Sequence, residues 1–291
     1  MKKEILITGS TGFLGSRIIE AYKEEHIIYA PLHEEMDISD HESVSTCLQQ
    51  YMPDVVIHCA AISDVAACEK DPVKSWNVNV IGSINIAKAC NDLHIKCIIC
   101  SSDQVYFGSN VFEAHKEDEI LIPNNLYGKE KLTAEQECLK INPSSVMLRL
   151  SWMYDIVTKN PNEHGDFFRT LMTKMHNKEA LSYPIYDMRG ISDINEVILN
   201  LKETFELDGG IYNFGSPNTL NTFDTVLKVF QSLELDTKLL QENRDAFKMN
   251  PRIISMCQDK INNHGIYFSS TVDNIIRNIK AVDIAFTQSF Q

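Results

Sequence analysis

Tyr127 and Lys131 stand four residues apart in the segment Tyr127-Gly-Lys-Glu-Lys131. In a helix that spacing puts both side chains on one face, one turn apart. A phenol ordinarily loses its proton near pKa about 10, and an ammonium fixed beside it favours the phenolate and lowers that value. Such a phenol can give or take a proton near neutral pH, as reduction of a carbonyl to an alcohol requires. The spacing is also common on solvated helix faces, so its weight depends on what accompanies it.

A glycine-rich turn accompanies it, in Ile5-Leu-Ile-Thr8-Gly9-Ser-Thr11-Gly12-Phe13-Leu14-Gly15-Ser-Arg-Ile18. The apolar run Ile5–Ile7 predicts a buried parallel strand, and Ile18, Ile19 and Tyr22 continue at helical spacing. Strand, glycine turn and helix form the context of a dinucleotide-binding turn, here spaced GxxGxxG rather than GxGxxG. The glycines let the backbone turn sharply. They also let a phosphate reach the helix N-terminus, where N–H groups and the dipole favour an anion.

A further polar group closes a strand pattern. Ile95-Lys-Cys-Ile-Ile-Cys100 runs into Ser101-Ser102-Asp103-Gln104-Val-Tyr106. Ligands of open α/β sheets bind beyond the carboxyl ends of strands, so a serine hydroxyl there can hydrogen-bond a substrate carbonyl. Serines also end strands and cap turns for local reasons. The Tyr/Lys pair in the next helix favours the functional role for one of the two serines.

Strand and helix signals alternate through the first half of the chain. Strands are expected at Ile5–Thr8, His26–Ala30, Val55–Cys59, Ile95–Ser101 and Ser145–Leu150. Helices are expected at Ser16–Glu25, Asp40–Gln50 with Asp40 as its cap, Pro72–Asp92 and Tyr127–Leu139. Repeated βαβ units predict an α/β fold with a doubly wound parallel sheet, a Rossmann fold. The second half is less regular. Helices are expected near Phe167–Met175, Ile194–Phe205, Phe223–Leu233 and Ser270–Val282, with strands at Leu181–Tyr186 and Gly210–Phe214. The pattern predicts a dinucleotide-binding domain over residues 1–154 and a smaller α/β substrate lobe over 155–291. Segments of that lobe should return to the main sheet, with a substrate cleft between the lobes.

The chain has 291 residues, 44% of them hydrophobic, enough for such a core. A net charge of −13 argues against nucleic acid or an anionic membrane surface as partner. Any anionic ligand must be held by local groups. The N-terminal segment is too short for a signal peptide and no apolar run reaches a membrane span, so a cytoplasmic location is expected. Eight scattered cysteines suit reduced thiols. Cys97-Ile-Ile-Cys100 has a redox or zinc spacing, but residues three apart on a strand face opposite sides, so the sulfurs should diverge. No HExxH-like cluster occurs, and no catalytic metal is expected.

Taken in order, these motifs resemble the extended short-chain dehydrogenases/reductases, and within them the dTDP-4-dehydrorhamnose reductase (RmlD-like) group. The likeness rests on the turn Thr8–Gly15, Glu35-Met-Asp37-Ile38-Ser-Asp40, Val55-Val-Ile-His-Cys-Ala60-Ala61 and Asn79-Val-Ile-Gly82. It continues through Ser101–Tyr106, Glu117-Asp118, Pro123-Asn-Asn-Leu-Tyr127-Gly-Lys-Glu-Lys131 and Leu148-Arg-Leu-Ser151-Trp152-Met-Tyr154, and is weak over the last third. The resemblance implies a catalytic triad of Ser102, Tyr127 and Lys131, with Ser102 where the reductases usually carry Thr. Tyr127 would protonate the keto oxygen and Ser102 polarise it. Lys131 would hold the nicotinamide ribose and lower the tyrosine pKa. The cofactor would lie on Gly9, Thr11, Gly12, Phe13, Leu14 and Gly15, with Asp37 and Ile38 beside the adenine. Ala60 and Ala61 would line the cleft, and Asn79 is structural or near the cofactor in the family. Asp103, Gln104, Trp152 and Arg189 fall on the substrate side.

The reaction so implied is NAD(P)H-dependent reduction of a nucleotide-linked 4-keto-6-deoxyhexose, dTDP-4-dehydrorhamnose to dTDP-rhamnose, for polysaccharide synthesis. The nucleotide sugar is then the partner, and a homodimer is compatible with the resemblance. Related 4,6-dehydratases carry Asp-Glu where this chain has Asp103-Gln104. An amide cannot act as a base, so dehydration is disfavoured. Arg189, close before Asp193-Ile194, can meet a substrate phosphate or pair with a local acid. The second strand ends Tyr29-Ala30-Pro31-Leu32 without the acid of NAD-specific sites. NADPH is therefore expected, with NADH accepted too. His33 stands where the group often has Arg, and Arg17 either helps bind the extra phosphate or is an exposed helix residue. Two other readings stay open: a nucleotide-sugar epimerase that retains its NAD, and a non-catalytic NADP-binding regulatory subunit like the partner of methionine adenosyltransferase.

Overall fold

A computed structural model of the protein describes residues 2–109, 111–157 and 166–288. The chain begins β1 (Glu4–Thr8), α1 (Phe13–Tyr22), β2 (Ile27–Tyr29), α2 (His41–Tyr51), β3 (Val55–His58). There follow α3 (Val65–Lys70), α4 (Pro72–Trp76), α5 (Gly82–Leu93), β4 (Lys96–Ser102), α6 (Leu126–Ile141) and β5 (Val146–Leu150). The later elements are β6 (Trp152–Tyr154), α7 (Phe167–Asn177), β7 (Leu181–Pro184), β8 (Asp187–Met188), β9 (Ile191–Asp193), α8 (Ile194–Leu201) and β10 (Gly210–Phe214). The last are α9 (Thr222–Ser232), β11 (Leu240–Asn243), β12 (Arg252–Ile253), α10 (Asp259–Asn262) and α11 (Thr271–Gln288).

Six strands form the central parallel sheet in the order β10-β5-β4-β3-β1-β2. Ile5, Leu6 and Ile7 of β1 and Val55, Val56 and Ile57 of β3 are all buried. A parallel sheet covered on both faces requires such continuous apolar strands. Leu6 sits in register between Tyr29 on one side and Val56 on the other. From β1 the chain steps outward to β2 and then returns across β1 to β3. That reversal is a topological switch point, where the connections after the two strands part and leave a crevice.

The chain divides into two compact units. The first comprises Met1–Phe107, Ile120–Leu150 and Ile198–Asn213. Its core joins Leu6, Val56 and Ile99 to Val44, Leu48, Ile86 and Cys90 of the covering helices. The second comprises Gly108–Glu119, Ser151–Val197 and Phe214–Gln291. Its core is built from Tyr154, Phe168, Leu171, Ile191, Val226, Phe230 and Ile275, with Tyr154 and Phe168 stacked at 5.0 Å. Among the described residues no helix is long and apolar enough to cross a membrane.

Local chemistry sets several boundaries. Asp40 caps α2 by accepting from the Glu42 N–H, as its sequence position predicts. The helix expected over Pro72–Asp92 is interrupted: α4 passes into a π-helical turn, Asn77–Ile81, before α5 begins. The sulfurs of Cys97 and Cys100 diverge. Cys97 packs in the core cluster with Cys90, while the Cys100 sulfur lies 3.7 Å from that of Cys59. All eight cysteines are free thiols.

Candidate active site

Beyond β1 the chain turns through Gly9, whose φ of +66° lies in the left-handed region. There is no room for a side chain there. A Cβ on Gly9 would stand 2.7 Å from the Ala60 nitrogen, and one on Gly15 would stand 2.3 Å from the Gly9 oxygen. The turn closes through the Gly12 N–H to the Gly9 carbonyl, 3.0 Å. Gly12 then starts α1 with no side-chain cap and no acid in the first turn. A backbone cradle that a Cβ would fill, at an uncapped helix N-terminus, suits an anionic group. It opens on a cavity of about 700 Å³ lined by Thr8–Gly12, Leu32, Asp37, Ile38, Ala60 and Ala61, among others. That volume lies within the range of cofactor sites.

Polar residues beneath the cradle fix its shape. Thr8 Oγ1 accepts from the Ala60 N–H at 3.1 Å and contacts His58 Nδ1 at 2.7 Å. The other ring nitrogen of His58 is 3.2 Å from Ser83 Oγ. Burial, with Lys131 nearby, pushes the His58 pKa down to about 3. The ring is therefore neutral and serves as a strut. Asp37 on the cavity wall accepts from both the N–H and hydroxyl of Ser39, which holds its carboxyl below the usual range. His33 and Lys74 border the same lining. Arg17 is not an exposed helix residue: it is buried, with its guanidinium 4.0 Å over the Phe13 ring and bonded to the Phe13 carbonyl.

Ser102, Tyr127 and Lys131 are all buried. Ser102 ends β4, and Tyr127 and Lys131 share a face of α6. Lys131 Nζ donates to the Cys100 carbonyl at 2.8 Å and lies 5.8 Å from the centre of the Tyr127 ring. The expected lowering of the tyrosine pKa is not what the protein's own groups produce. Burial raises the Tyr127 phenol above its ordinary value, and the hydrogen bond with Ser102 only partly opposes this. Burial also lowers the Lys131 amine. Desolvation dominates, and the phenol is protonated at neutral pH.

The structure separates the two serines. Ser101 gives its hydroxyl to Glu135 at 2.5 Å, in a fully buried network where Arg149 holds Glu135 through Nε and Nη2. Ser102 accepts from the Gln104 N–H at 3.2 Å and starts the turn Asp103–Tyr106. The Gln104 amide works both ways. It donates toward Asp103 at 3.4 Å and accepts from Asn125 at 3.0 Å, and Asn125 in turn caps α6 through Gly128 N–H. A carboxylate could not donate, which gives Gln104 a physical reason where dehydratases have Glu. Asn79, in the π-helical turn, is fully buried. Its amide bonds both the N–H and carbonyl of Ile62 and the carboxylate of Glu130. Sequence reasoning missed Asn125, Glu130 and Glu135; of these only Asn125, just before an expected helix, carries a readable capping signal. Among the described residues no three His, Cys, Asp or Glu side chains converge as for a metal.

Trp152 and Arg189 belong to the second unit. There the Arg189 guanidinium lies 4.9 Å over the Trp152 ring, a cation–π pair.

A glycine cradle at a Rossmann switch point, with Tyr and Lys one helical turn apart, defines an extended short-chain dehydrogenase/reductase. Residues 1–252 match the family model described as the RmlD substrate binding domain, and the chain belongs to that family. It is similar to dTDP-4-dehydrorhamnose reductase of Mycolicibacterium smegmatis, 26% identical over 239 residues, 81% of this chain and 71% of that one. It is also similar to methionine adenosyltransferase 2 subunit beta of Xenopus tropicalis, 28% identical over 260 residues, 84% of this chain and 76% of that one. In fold it resembles the crystal structure of dTDP-4-dehydrorhamnose reductase from Bacillus anthracis in complex with NADP, with a TM-score of 0.82 and 23% identity over 97% of this chain and 99% of that one.

Proposed function

We propose that the protein is an NADPH-dependent reductase of a nucleotide-linked 4-keto-6-deoxyhexose, with dTDP-4-dehydrorhamnose as the substrate that its relatives favour. The observation that carries this reading is the placement of the Tyr127 phenol beside Ser102 at the carboxyl end of β4, one helical turn from Lys131, in a unit that also holds the glycine cradle. A ketone becoming an alcohol needs a proton on oxygen, and this is the donor. The Ser102 hydroxyl donates to the same oxygen and stabilises its growing charge. The Lys131 ammonium would stabilise the phenolate that remains and would hold the nicotinamide ribose. Bound NADPH would supply the hydride to the carbonyl carbon. The cradle at Gly9–Gly15 suits its pyrophosphate, Asp37 and Ile38 border the adenine side, and His33 and Lys74 favour the extra phosphate. In the second unit, Arg189 over Trp152 suits the phosphates and flat base of the nucleotide.

The test mixes protein with NADPH or NADH and dTDP-4-dehydrorhamnose made in situ, and follows absorbance of the reduced cofactor. Sugar-dependent oxidation is the expected result, faster with NADPH. Tight cofactor binding without oxidation would reject dTDP-4-dehydrorhamnose as the substrate. It would shift the reading to another nucleotide sugar, an epimerase or a regulatory subunit, the last a role to which the likeness to methionine adenosyltransferase 2 subunit beta lends support.

A further inference from the structure

Cys59 and Cys100 lie where β3 and β4 end, and the mechanism above uses neither sulfur. Paired residues run from Val55 opposite Lys96 to His58 opposite Ile99. One step further brings Cys59 opposite Cys100. Registered neighbours on adjacent strands point to one side of the sheet, with Cα atoms about 4.8 Å apart. That separation is inside the window of about 4.4–6.8 Å that a disulfide spans. The sulfurs are already 3.7 Å apart. Cys59 is half-buried and lines the dinucleotide cavity, so a small oxidant can reach the pair. A thiol hydrogen bond joins the two sulfurs, and Lys131, bonded to the Cys100 carbonyl, places a cation near both. Cys59, the more exposed of the two, meets the oxidant first.

We propose that Cys59 and Cys100 are a redox-sensitive pair that hydrogen peroxide closes into a reversible disulfide, and that this bond and the dinucleotide oppose each other. The Cys59 thiol sulfur attacks one peroxide oxygen, the O–O bond breaks, and the departing hydroxide takes the Cys59 thiol proton as water. The sulfur of Cys100 then attacks the sulfenic sulfur of Cys59. The S–S bond forms, the S–O bond breaks, and the second oxygen leaves as water with the Cys100 proton. Two thiols lose two electrons and two hydrogens, and the peroxide gains them.

The opposition follows from packing. Closing the bond draws the sulfurs from 3.7 Å to about 2 Å. The Cα spacing already suits the bond, so the side chains turn to meet and the Cys59 side chain, part of the cavity wall, changes position. Its neighbour Ala60 is bonded to Thr8, and the Cys59 carbonyl carbon and the Ala60 backbone stand against Gly9 with no space for even a Cβ, so any backbone adjustment at Cys59 also reaches the glycine cradle. The disulfide itself is independent of the proposed cofactor; the opposition rests on that reading.

The full-length protein is treated with peroxide, its remaining thiols are alkylated, and digested peptides are mapped by mass spectrometry. NADPH fluorescence, after peroxide is removed, reports binding. The expected result is a Cys59–Cys100 linked peptide pair, an NADPH affinity about tenfold weaker, and recovery of both with dithiothreitol. Cys100→Ser and Cys59→Ala, each compared with its own reduced form, should lose no affinity on treatment. Alkylated Cys59 and Cys100 after peroxide, or a bond to other cysteines, would overturn the proposal. A linked pair with unchanged affinity would overturn the opposition. Reduced protein that binds neither NADPH nor NADH would reject the cofactor reading and the opposition with it, while the peptide map still decides the disulfide.

Discussion

The glycine cradle and helix α6 prepare polar chemistry in opposite ways. The cradle uses backbone alone: Gly9 and Gly15 leave no space for a Cβ, and no side chain caps α1. Helix α6 uses side chains taken out of water. Its Glu130 is held by Ser75 and Asn79, and its Glu135 by Ser101 and Arg149. The first construction fails by collision, and the second by a missing partner. A glycine replacement should therefore damage stability and binding together, whereas changes on α6 should separate them.

Four experiments test that contrast. Tyr127→Phe should lower kcat by about a hundred- to ten-thousand-fold while NADPH still binds; normal turnover in the steady-state assay would remove Tyr127 as the acid. Arg149→Met should destabilise by about 3–5 kcal/mol, because Glu135 is left buried without its cation. Urea unfolding measures this, and a loss under about 1 kcal/mol would mean the network is not needed. Gly15→Ala should cost about 3 kcal/mol, near the upper range for overpacking, and should abolish NADPH binding by calorimetry. Retained binding would show that the cradle can relax. Near neutral pH the smallest effect concerns His58, whose pKa falls from an ordinary 6.5 to about 3. Below about pH 6.5 the unfolded chain takes a proton that the folded protein refuses. Stability is full above that pH and declines by up to about 1.4 kcal/mol per unit as the pH falls toward 3. His58→Gln should flatten the decline, and parallel curves for both proteins would end the assignment.

The same contrast explains what the sequence disclosed. Gly9 to Gly15 form one continuous segment, so spacing alone revealed the turn, and Asp40 announced its helix by standing just before it. Partners such as Glu130 with Asn79, or Ser101 with Glu135, come from distant segments, and no local period records them. Burial is equally unwritten: the raised phenol of Tyr127 and the buried Arg17 both run against readings based on neighbours in sequence. Strands as short as β8 and β12, two residues each, have no alternation to detect. The six residues of α3 are too few to show a helical stripe.

The wide turn at Asn77–Ile81 fits one more residue between α4 and α5 than a regular helix would hold. Deleting one residue there would let α4 and α5 run on as a regular helix with their ends facing as before, but it would remove the widened turn that separates the directions of Asn77, Val78 and Asn79. Asn77 and Val78 would leave the cavity wall, or Asn79 would leave Glu130. When relatives are aligned, a gap falling in this stretch marks a rebuilt cofactor wall rather than a shorter chain.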